Sequence, residues 1–551
     1  MGMTAPDTSE DWIATAKERF RRIEAMPLPR NIMDLVATAA QAVPDRTALH
    51  FIETDSATSY AQFHADIQRL ANGLVSVGVG RGSHVAVMLP NVREMPTTWL
   101  ALAAIGAVMV PANVRYTAYE LEYLLTDSGA THLVVDHAYL PVMEAMPAAP
   151  PKLVQIIVTR SSSVRAKATY HDWQILLDRS PSGFTPDVDP ELDDLVNIQY
   201  TSGTTGLPKG CLLTHRYWMT CAKAYADCDG LTFRSILSPN PFFYMTPQWM
   251  LLMACYQRAT LYVAPHLSLS RFMTWLRRYE IAFCIFPMDL VNQIAERPDD
   301  REHRVVRANI SIHRKELHAE AERRFGFPAR SAFGMTEIGL GMVTPFEGAE
   351  MVGSGSCGMA APFREIRIAD LEGATLPPEE MGELLVRGPG LLLGYHNKPE
   401  ATAAAFHGDW FRTGDLAKQD AAGFVTILGR IKEMIRRSGE NISATEVESV
   451  LLTVPLITEA AALAVPDAMR GEEVKIYVTL QPGVTLSDLP PERIIEHCRE
   501  RLAAFKVPRF IEYRTAPLPR STSGKVRKPD LVAEKTDLRQ GSWDRLLGDW
   551  I

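Results

Sequence analysis

Cysteine is sparse in this 551-residue sequence. Seven stand at positions 211, 221, 228, 255, 284, 357 and 498, and no CxxC pair occurs. An odd, scattered set excludes a disulfide framework and predicts free buried thiols in a reducing compartment. Long apolar runs are missing too. The longest, residues 99–110, falls short of the roughly 20 residues needed to span a bilayer. No run of five or six like charges appears, and 57 basic against 65 acidic residues leave a formal charge of −8. Bulk attraction to nucleic acid or to an anionic membrane is therefore not expected. The opening stretch, MGMTAPDTSEDW, has no apolar segment of the signal-peptide kind, and Pro6 spoils a myristoylation match. The cytoplasm is the expected compartment.

What is present is an ordinary globular composition, 46% apolar and 22% charged, on a chain too long for one core. Phe63, Ile67, Leu70, Leu74 and Val77 recur at helical steps, with Gly78 and Gly80 as a stop. HVAVML at 84–89 reads as a buried strand, 94–105 as a helix, 108–111 as a strand, 119–127 as a helix and 131–135 as a strand. Such alternation predicts α/β architecture with helices on mostly parallel sheets. Near residue 430 the character changes. Helices at 445–452 and 494–502 flank strand-like 460–465 and 474–480, a smaller α+β unit. The expected division is an amphipathic N-terminal arm (1–30), a large α/β domain with a β subdomain (31–431), a small α+β domain (432–530) and a loosely docked polar tail (531–551).

Chemistry concentrates in YTSGTTGLPKG at 200–210, preceded by the strand-like LVNIQY. Glycines let the backbone approach a polyanion, successive N–H groups form an anion nest, hydroxyls add donors without bulk, and Lys209 adds charge. The loop is not of the GxxxxGK[ST] type, because Pro208 occupies the second glycine position counted from Gly203. Gly353, Gly355 and Gly358 match GxGxxG only formally, since no apolar strand precedes them. His313 and His318 lack a third ligand nearby, so no metal site is expected there.

Taken together, the motifs resemble the adenylate-forming superfamily of acyl-CoA synthetases, adenylation domains and firefly luciferase. Beside the loop stand FGMTE (333–337), GELLVRGPGLLLGY (382–395), WFRTGD (410–415), GRIKEMIRRSGENISATEVE (429–448) and PRSTSGKVR (519–527), in the family's order. The resemblance covers residues 30–530. It implies that Thr201, Ser202, Gly203, Thr204, Thr205 and Lys209 hold the β- and γ-phosphates of ATP. Phe333 would lie against the adenine, Gly334 and Met335 would belong to the same ATP-binding segment, and Thr336 and Glu337 would meet the α-phosphate and Mg²⁺. Asp415, helped by Arg430, would bind the ribose. Lys525 would bridge carboxylate and α-phosphate, and Lys432 would be the hinge about which a mobile C-terminal domain rotates. Gly439 would line a tunnel for the pantetheine of coenzyme A (CoA). A carboxylate is already a nucleophile at neutral pH, so the barrier is bringing an anion to a polyanion. Positive charge and oriented donors meet that need.

Two departures concern the acid. Where the family has a glycine-rich loop, this chain reads NISI at 309–312, followed by His313 and Arg314. That trait, with GENIS after the hinge, resembles crotonobetaine/carnitine-CoA-ligase-like members. In PFFYMTPQW (241–249), Tyr244 replaces a frequent histidine. Tyr244, Trp249, Ser311 and His313 are the candidate acid-binding residues, and both a small polar or betaine-like acid and an aromatic acid fit them. The expected activity is acid:CoA ligation with ATP, CoA and a carboxylic acid as partners. Loading of a carrier-protein phosphopantetheine in trans is the alternative, and a nucleotide-binding protein without turnover is a third reading. The family also allows a homodimer.

Overall fold

The apolar run read as a strand becomes His84–Met88, hydrogen-bonded in parallel to Val108–Pro111 on one side and His132–Asp136 on the other. The computed structural model describes residues 9–161, 169–201, 208–310, 315–370, 372–438, 440–502, 504–520, 524 and 526–551. The chain divides into two compact units, Met1–Ile366 with Val386–Phe411, and Arg367–Leu385 with Arg412–Ile551.

The first unit carries two twisted sheets. One runs in the order Tyr170–Asp172, Gln155–Thr159, His132–Asp136, His84–Met88, Val108–Pro111, Leu195–Thr201, Lys209–Thr214. Every neighbour pair is parallel except the last, a hairpin. In the other, Thr47–Phe51, Thr260–Val263, Ser235–Ser238, Phe283–Ile285, Arg307–Ile310 and Ala329–Met335 are successive parallel neighbours. Antiparallel strands Ser56–Ser59, Gly339–Val343 and Met359–Ala360 close its edges. Strands covered on both faces read as unbroken apolar runs, which is why 84–88 and 132–136 show no alternation. Between them, helix Glu94–Ile105 is buried on every side and stops at Gly106, whose φ of 77° suits glycine. Helix Tyr60–Ser76 is one-sided, with Phe63, Ile67, Leu70 and Leu74 buried.

The N-terminal segment is no free arm. Helix Ser9–Ala25 docks in the first unit, where Arg19 forks onto Glu347 at 2.7 and 2.9 Å and Glu24 accepts the Phe363 N–H at 2.7 Å. Gly353, Gly355 and Gly358 belong to the chain just before Met359–Ala360, not to a strand-to-helix turn. A Cβ on Gly358 would come within 2.1 Å of the Val343 carbonyl carbon, so this glycine serves close backbone packing. All seven cysteines are buried and free. No described helix is long and apolar enough to cross a membrane.

In the second unit, Ile457–Asp467 and Gly471–Leu480 form a long antiparallel pair, and Phe510–Arg514 adds in parallel. Helices Ala444–Leu451 and Pro491–Arg501 bury Val447, Leu451, Ile494, Ile495 and Cys498 against Ile476 and Val478. The polar tail proves to be part of this sheet. Trp543–Asp544 pairs with Phe510–Arg514, Asp549–Trp550 pairs with Trp543–Asp544, and Trp543 is buried in the core. Polarity misled the reading because a short edge hairpin needs only one buried anchor. Trp543→Ala is expected to destabilise the protein by about 3 kcal/mol, the usual cost of truncating a buried tryptophan, read as a lower urea midpoint.

His215 begins helix His215–Asp227, is fully buried, and accepts the Ile32 N–H on Nδ1 at 3.2 Å. Burial pushes its imidazole down to about 4. The unfolded chain, titrating near 6.5, therefore takes up the proton first. Its contribution is complete above pH 6.5 and is lost as pH falls towards 4, by up to about 3 kcal/mol. Unfolding free energies between pH 7.5 and 4.5 should fall more steeply for the wild type than for His215→Asn. Parallel curves would remove His215 from the acid response.

Candidate active site

The phosphate loop leaves the carboxyl end of the parallel strand Leu195–Thr201, the end at which open α/β sheets bind ligands. Ser202, Gly203, Thr204 and Thr205 lie outside the described residues. At the two ends of the loop, Thr201 stands opposite Lys209 across the hairpin and donates to its carbonyl at 3.4 Å. Two tyrosines fix this base. Tyr200 Oη donates to Asp127 at 2.6 Å, and Tyr123 Oη donates to the Pro208 carbonyl at 2.9 Å. Burial, followed by the Asp127 carboxylate, raises the Tyr200 hydroxyl well above its ordinary range, so it stays a donor. Gly210 is required by space, because a Cβ there would sit 2.5 Å from Ile198 Cγ2.

FGMTE ends the parallel strand Ala329–Met335 and turns directly into Gly339–Val343. Gly334 leaves room for the Gly339 carbonyl, which a Cβ would approach to 2.4 Å. Phe333 and Thr336 are half-buried and Glu337 is buried. Arg364, buried and facing no carboxylate at hydrogen-bond distance among the described residues, grips the turn with carbonyl bonds. It donates to Ile338 O at 2.6 and 3.0 Å, to Pro389 O at 2.7 Å and to Phe363 O at 2.8 Å. Burial pushes its guanidinium down to about 10, still charged at neutral pH.

Sequence reasoning gave GELLVRGPGLLLGY no chemical task. In the fold, its last residues join the two sheets of the first unit. Leu392 N–H donates to Glu337 O at 2.9 Å, Leu393 N–H to Leu212 O at 3.0 Å, Leu212 N–H to Gly394 O at 3.0 Å, and His396 N–H to Gly210 O at 2.8 Å. Tyr395 completes the link with its side chain. Its hydroxyl donates to Glu337 Oε1 at 3.0 Å, and its ring lies 4.4 Å beneath the Lys209 ammonium. The signal available beforehand was a tyrosine closing a glycine-rich motif, which says nothing of a partner.

In the second unit, Asp415 and Arg430 face each other across strands Trp410–Gln419 and Val425–Arg430, with Arg430 Nε 3.0 Å from Asp415 Oδ1. Thr413 orients both: its hydroxyl accepts the Asp415 N–H at 3.0 Å, and its carbonyl accepts from Arg430 Nη1 at 2.8 Å. Lys432 lies in the turn Ile431–Glu433 that follows. Gly439 and Lys525 lie outside the described residues, as do Ser311 and His313.

Of the acid candidates, Tyr244 is partly exposed, with its hydroxyl 3.5 Å from Asn113 Nδ2. Trp249 is buried and stacks on Tyr225, with ring centroids 3.7 Å apart and planes 8° from parallel. Gln248 donates to the carbonyls of Phe242 at 3.0 Å and Tyr244 at 3.2 Å, and Gln199 donates to that of Phe243 at 2.8 Å. Gln248 also accepts from Asn197 at 3.0 Å, so the strand feeding the phosphate loop holds the backbone of 242–244. Arg307, on the strand leading to 311–314, is buried against Asp229 at 2.6 Å. Burial raises the Asp229 carboxyl although the guanidinium opposes it.

The profile of the AMP-binding enzyme family matches residues 36–396, and that of the AMP-binding enzyme C-terminal domain matches 446–525. The chain belongs to this family. A crotonobetaine/carnitine–CoA ligase of Citrobacter koseri is 30% identical over 520 residues, covering 91% of this chain and 99% of that relative. One from Salmonella arizonae is 32% identical, covering 88% and 96%. Among solved structures, ATP-bound MatB of Rhodopseudomonas palustris is similar with a TM-score of 0.82, 26% identity and coverage of 93% and 100%. A fatty acyl CoA synthetase of Mycobacterium tuberculosis is similar with a TM-score of 0.72, 26% identity and coverage of 92% and 98%. The protein is an ATP-dependent, AMP-forming acid–thiol ligase.

Tyr395→Phe removes the Glu337 donor and keeps the ring under Lys209. One hydrogen bond to a charged group contributes about 1.5–3 kcal/mol, so kcat/KM for ATP is expected to fall at least tenfold, roughly 1.4 kcal/mol. An unchanged kcat/KM with reduced thermal stability would show that the bond serves only the fold.

Proposed function

We propose that the protein is an acid:CoA ligase that works in two steps. A carboxylate oxygen attacks the α-phosphorus of ATP, pyrophosphate leaves, and an acyl-adenylate forms. The CoA thiolate then attacks the acyl carbon, AMP leaves, and a thioester forms. The observation that carries this reading is the tyrosine joining Lys209, opposite the end of strand Leu195–Thr201, to Glu337, in the turn after strand Ala329–Met335. Cation and carboxylate are thereby held at a defined separation, as a site for a metal-bearing polyphosphate requires.

In this reading Thr201, Ser202, Gly203, Thr204, Thr205 and Lys209 hold the terminal phosphates. Phe333, Gly334 and Met335 pack on the adenine, Thr336 meets the α-phosphate, and Asp415 with Arg430 takes the ribose hydroxyls. Lys525 stabilises charge on the α-phosphate as the carboxylate attacks, Lys432 is the hinge, and Gly439 lines the path for the thiol. Among the described residues no group of three or more His, Cys, Asp or Glu side chains could hold a metal by itself. Glu337 would hold a magnesium ion, which favours oxygen ligands and would neutralise phosphate charge. The relatives' names nominate a short quaternary-ammonium acid, a group that aromatic faces bind well. The aromatic side chains of 242–249 equally suit an aryl acid.

Pyrophosphate exchange across a panel of betaine-like, short aliphatic and aryl acids tests the first step. At least one acid is expected to support exchange, and Lys525→Ala is expected to lower it by about a thousandfold or more while ATP still binds. Thioester formation with free CoA tests the second. Transfer only to a holo carrier protein would replace CoA as acceptor, and no exchange with any acid would leave a nucleotide-binding protein without turnover.

A further inference from the structure

Lys528 lies three residues beyond Lys525, on the first turn of helix Lys528–Ala533, in a largely buried position. Its ammonium sits between two carboxylates, 2.8 Å from Glu433 Oε2 and 2.7 Å from Glu448 Oε1. Glu448 is held in turn by the Ala462 N–H at 2.7 Å. Glu433 directly follows Lys432, so one side chain ties the chain after Lys525 to the turn that carries the hinge position.

The leg before Lys525 is anchored as well. Glu459 accepts the Leu518 N–H at 2.9 Å and pairs with Arg520 at 2.5 Å. Arg520 donates to Gly524 O at 2.7 Å and forms a β-bridge with Val526, and Arg527 N–H donates to Pro519 O at 2.7 Å. The described residues before Lys525 are thus anchored on Glu459 and those after it through Lys528, with Arg520 and Val526 bridged to each other. Burial alone would pull the Lys528 ammonium down, but Glu448 and Glu433 outweigh it and keep the group charged.

We infer that Lys528 is a positioning residue, and that the Glu433–Lys528–Glu448 triad fixes the chain after Lys525 to the hinge turn for the adenylation step. The inference rests on the reading of Lys525 as the adenylating lysine. Removing Lys528 leaves two carboxylates facing each other without their cation, which threatens the fold locally. Glu433 is more exposed, so Glu433→Ala opens the same link at little structural cost.

The experiment uses the full-length chain, an acid from the panel that supports exchange, and its synthetic acyl-adenylate. Lys528→Met, Glu433→Ala, the double variant and Lys525→Ala are compared in pyrophosphate exchange and, separately, in thioester formation from acyl-adenylate and CoA. Misplacing a catalytic group by about 1 Å can cost on the order of 100-fold, so each single variant is expected to lower the kcat of exchange by about 10- to 100-fold. The double variant should be no worse than the poorer single one, because both break one link. Thioester formation should stay within about threefold, the part of the rate that does not use Lys525. Equal loss in both half-reactions, full exchange by Glu433→Ala, or additive losses would overturn the inference. Full exchange by Lys525→Ala would instead overturn the reading beneath it.

Discussion

The placing of Lys209 beside Glu337 in the first unit depends on one extended segment, residues 392–396, that hydrogen-bonds to both sheets at once. Its amides and carbonyls engage Leu212 and Gly210 on one side and the Glu337 carbonyl on the other, while Tyr395 reaches both Lys209 and the Glu337 carboxylate. Each sheet by itself delivers one functional group to the carboxyl end of a parallel strand. Only the shared segment sets the distance between them. Lysine and glutamate side chains are long and lose much rotamer freedom when ordered, so a rigid aromatic ring that touches both is an efficient way to hold them.

Charge in the interior is handled by a consistent rule. Arg364 is buried against carbonyls, Arg307 against Asp229, and Lys528 between two glutamates. In each case at least one oxygen facing the cation comes from a distant stretch of chain, so the buried cation doubles as a cross-link. Breaking one partner of such a group costs more than the pair contributes, because the remaining charge stays desolvated. His215 follows the opposite solution and stays neutral, holding the start of helix Ile32–Ala42 with a ring nitrogen.

Much of this architecture was legible in the sequence where local pattern and tertiary demand agree. The strand at 108–111 and the helix at 94–105 fall where spacing put them, because a fully apolar run bounded by glycine admits few alternatives. The helix Ser9–Ala25 and the terminal hairpin around Trp543 were misread as arm and tail. Both are held by partners outside their own local segment, Glu347 in the first case and the preceding strand Phe510–Arg514 in the second. Local polarity cannot report such partners. The candidate site residues were nominated by motifs in which glycine, threonine and lysine gather at short spacing. Tyr395, Arg364 and Lys528 did not, since each acts through a neighbour that is remote in sequence.

The two glutamines behind residues 242–244 have a consequence for what a substitution at 244 can change. Gln199, on strand Leu195–Thr201, and Gln248, on helix Met245–Gln257 and itself held by Asn197 of that strand, bind the main-chain carbonyls of 242, 243 and 244. The peptide path there is fixed by glutamine side chains from two other positions, so a substitution at 244 changes the side chain on display and leaves the supports of its main chain in place.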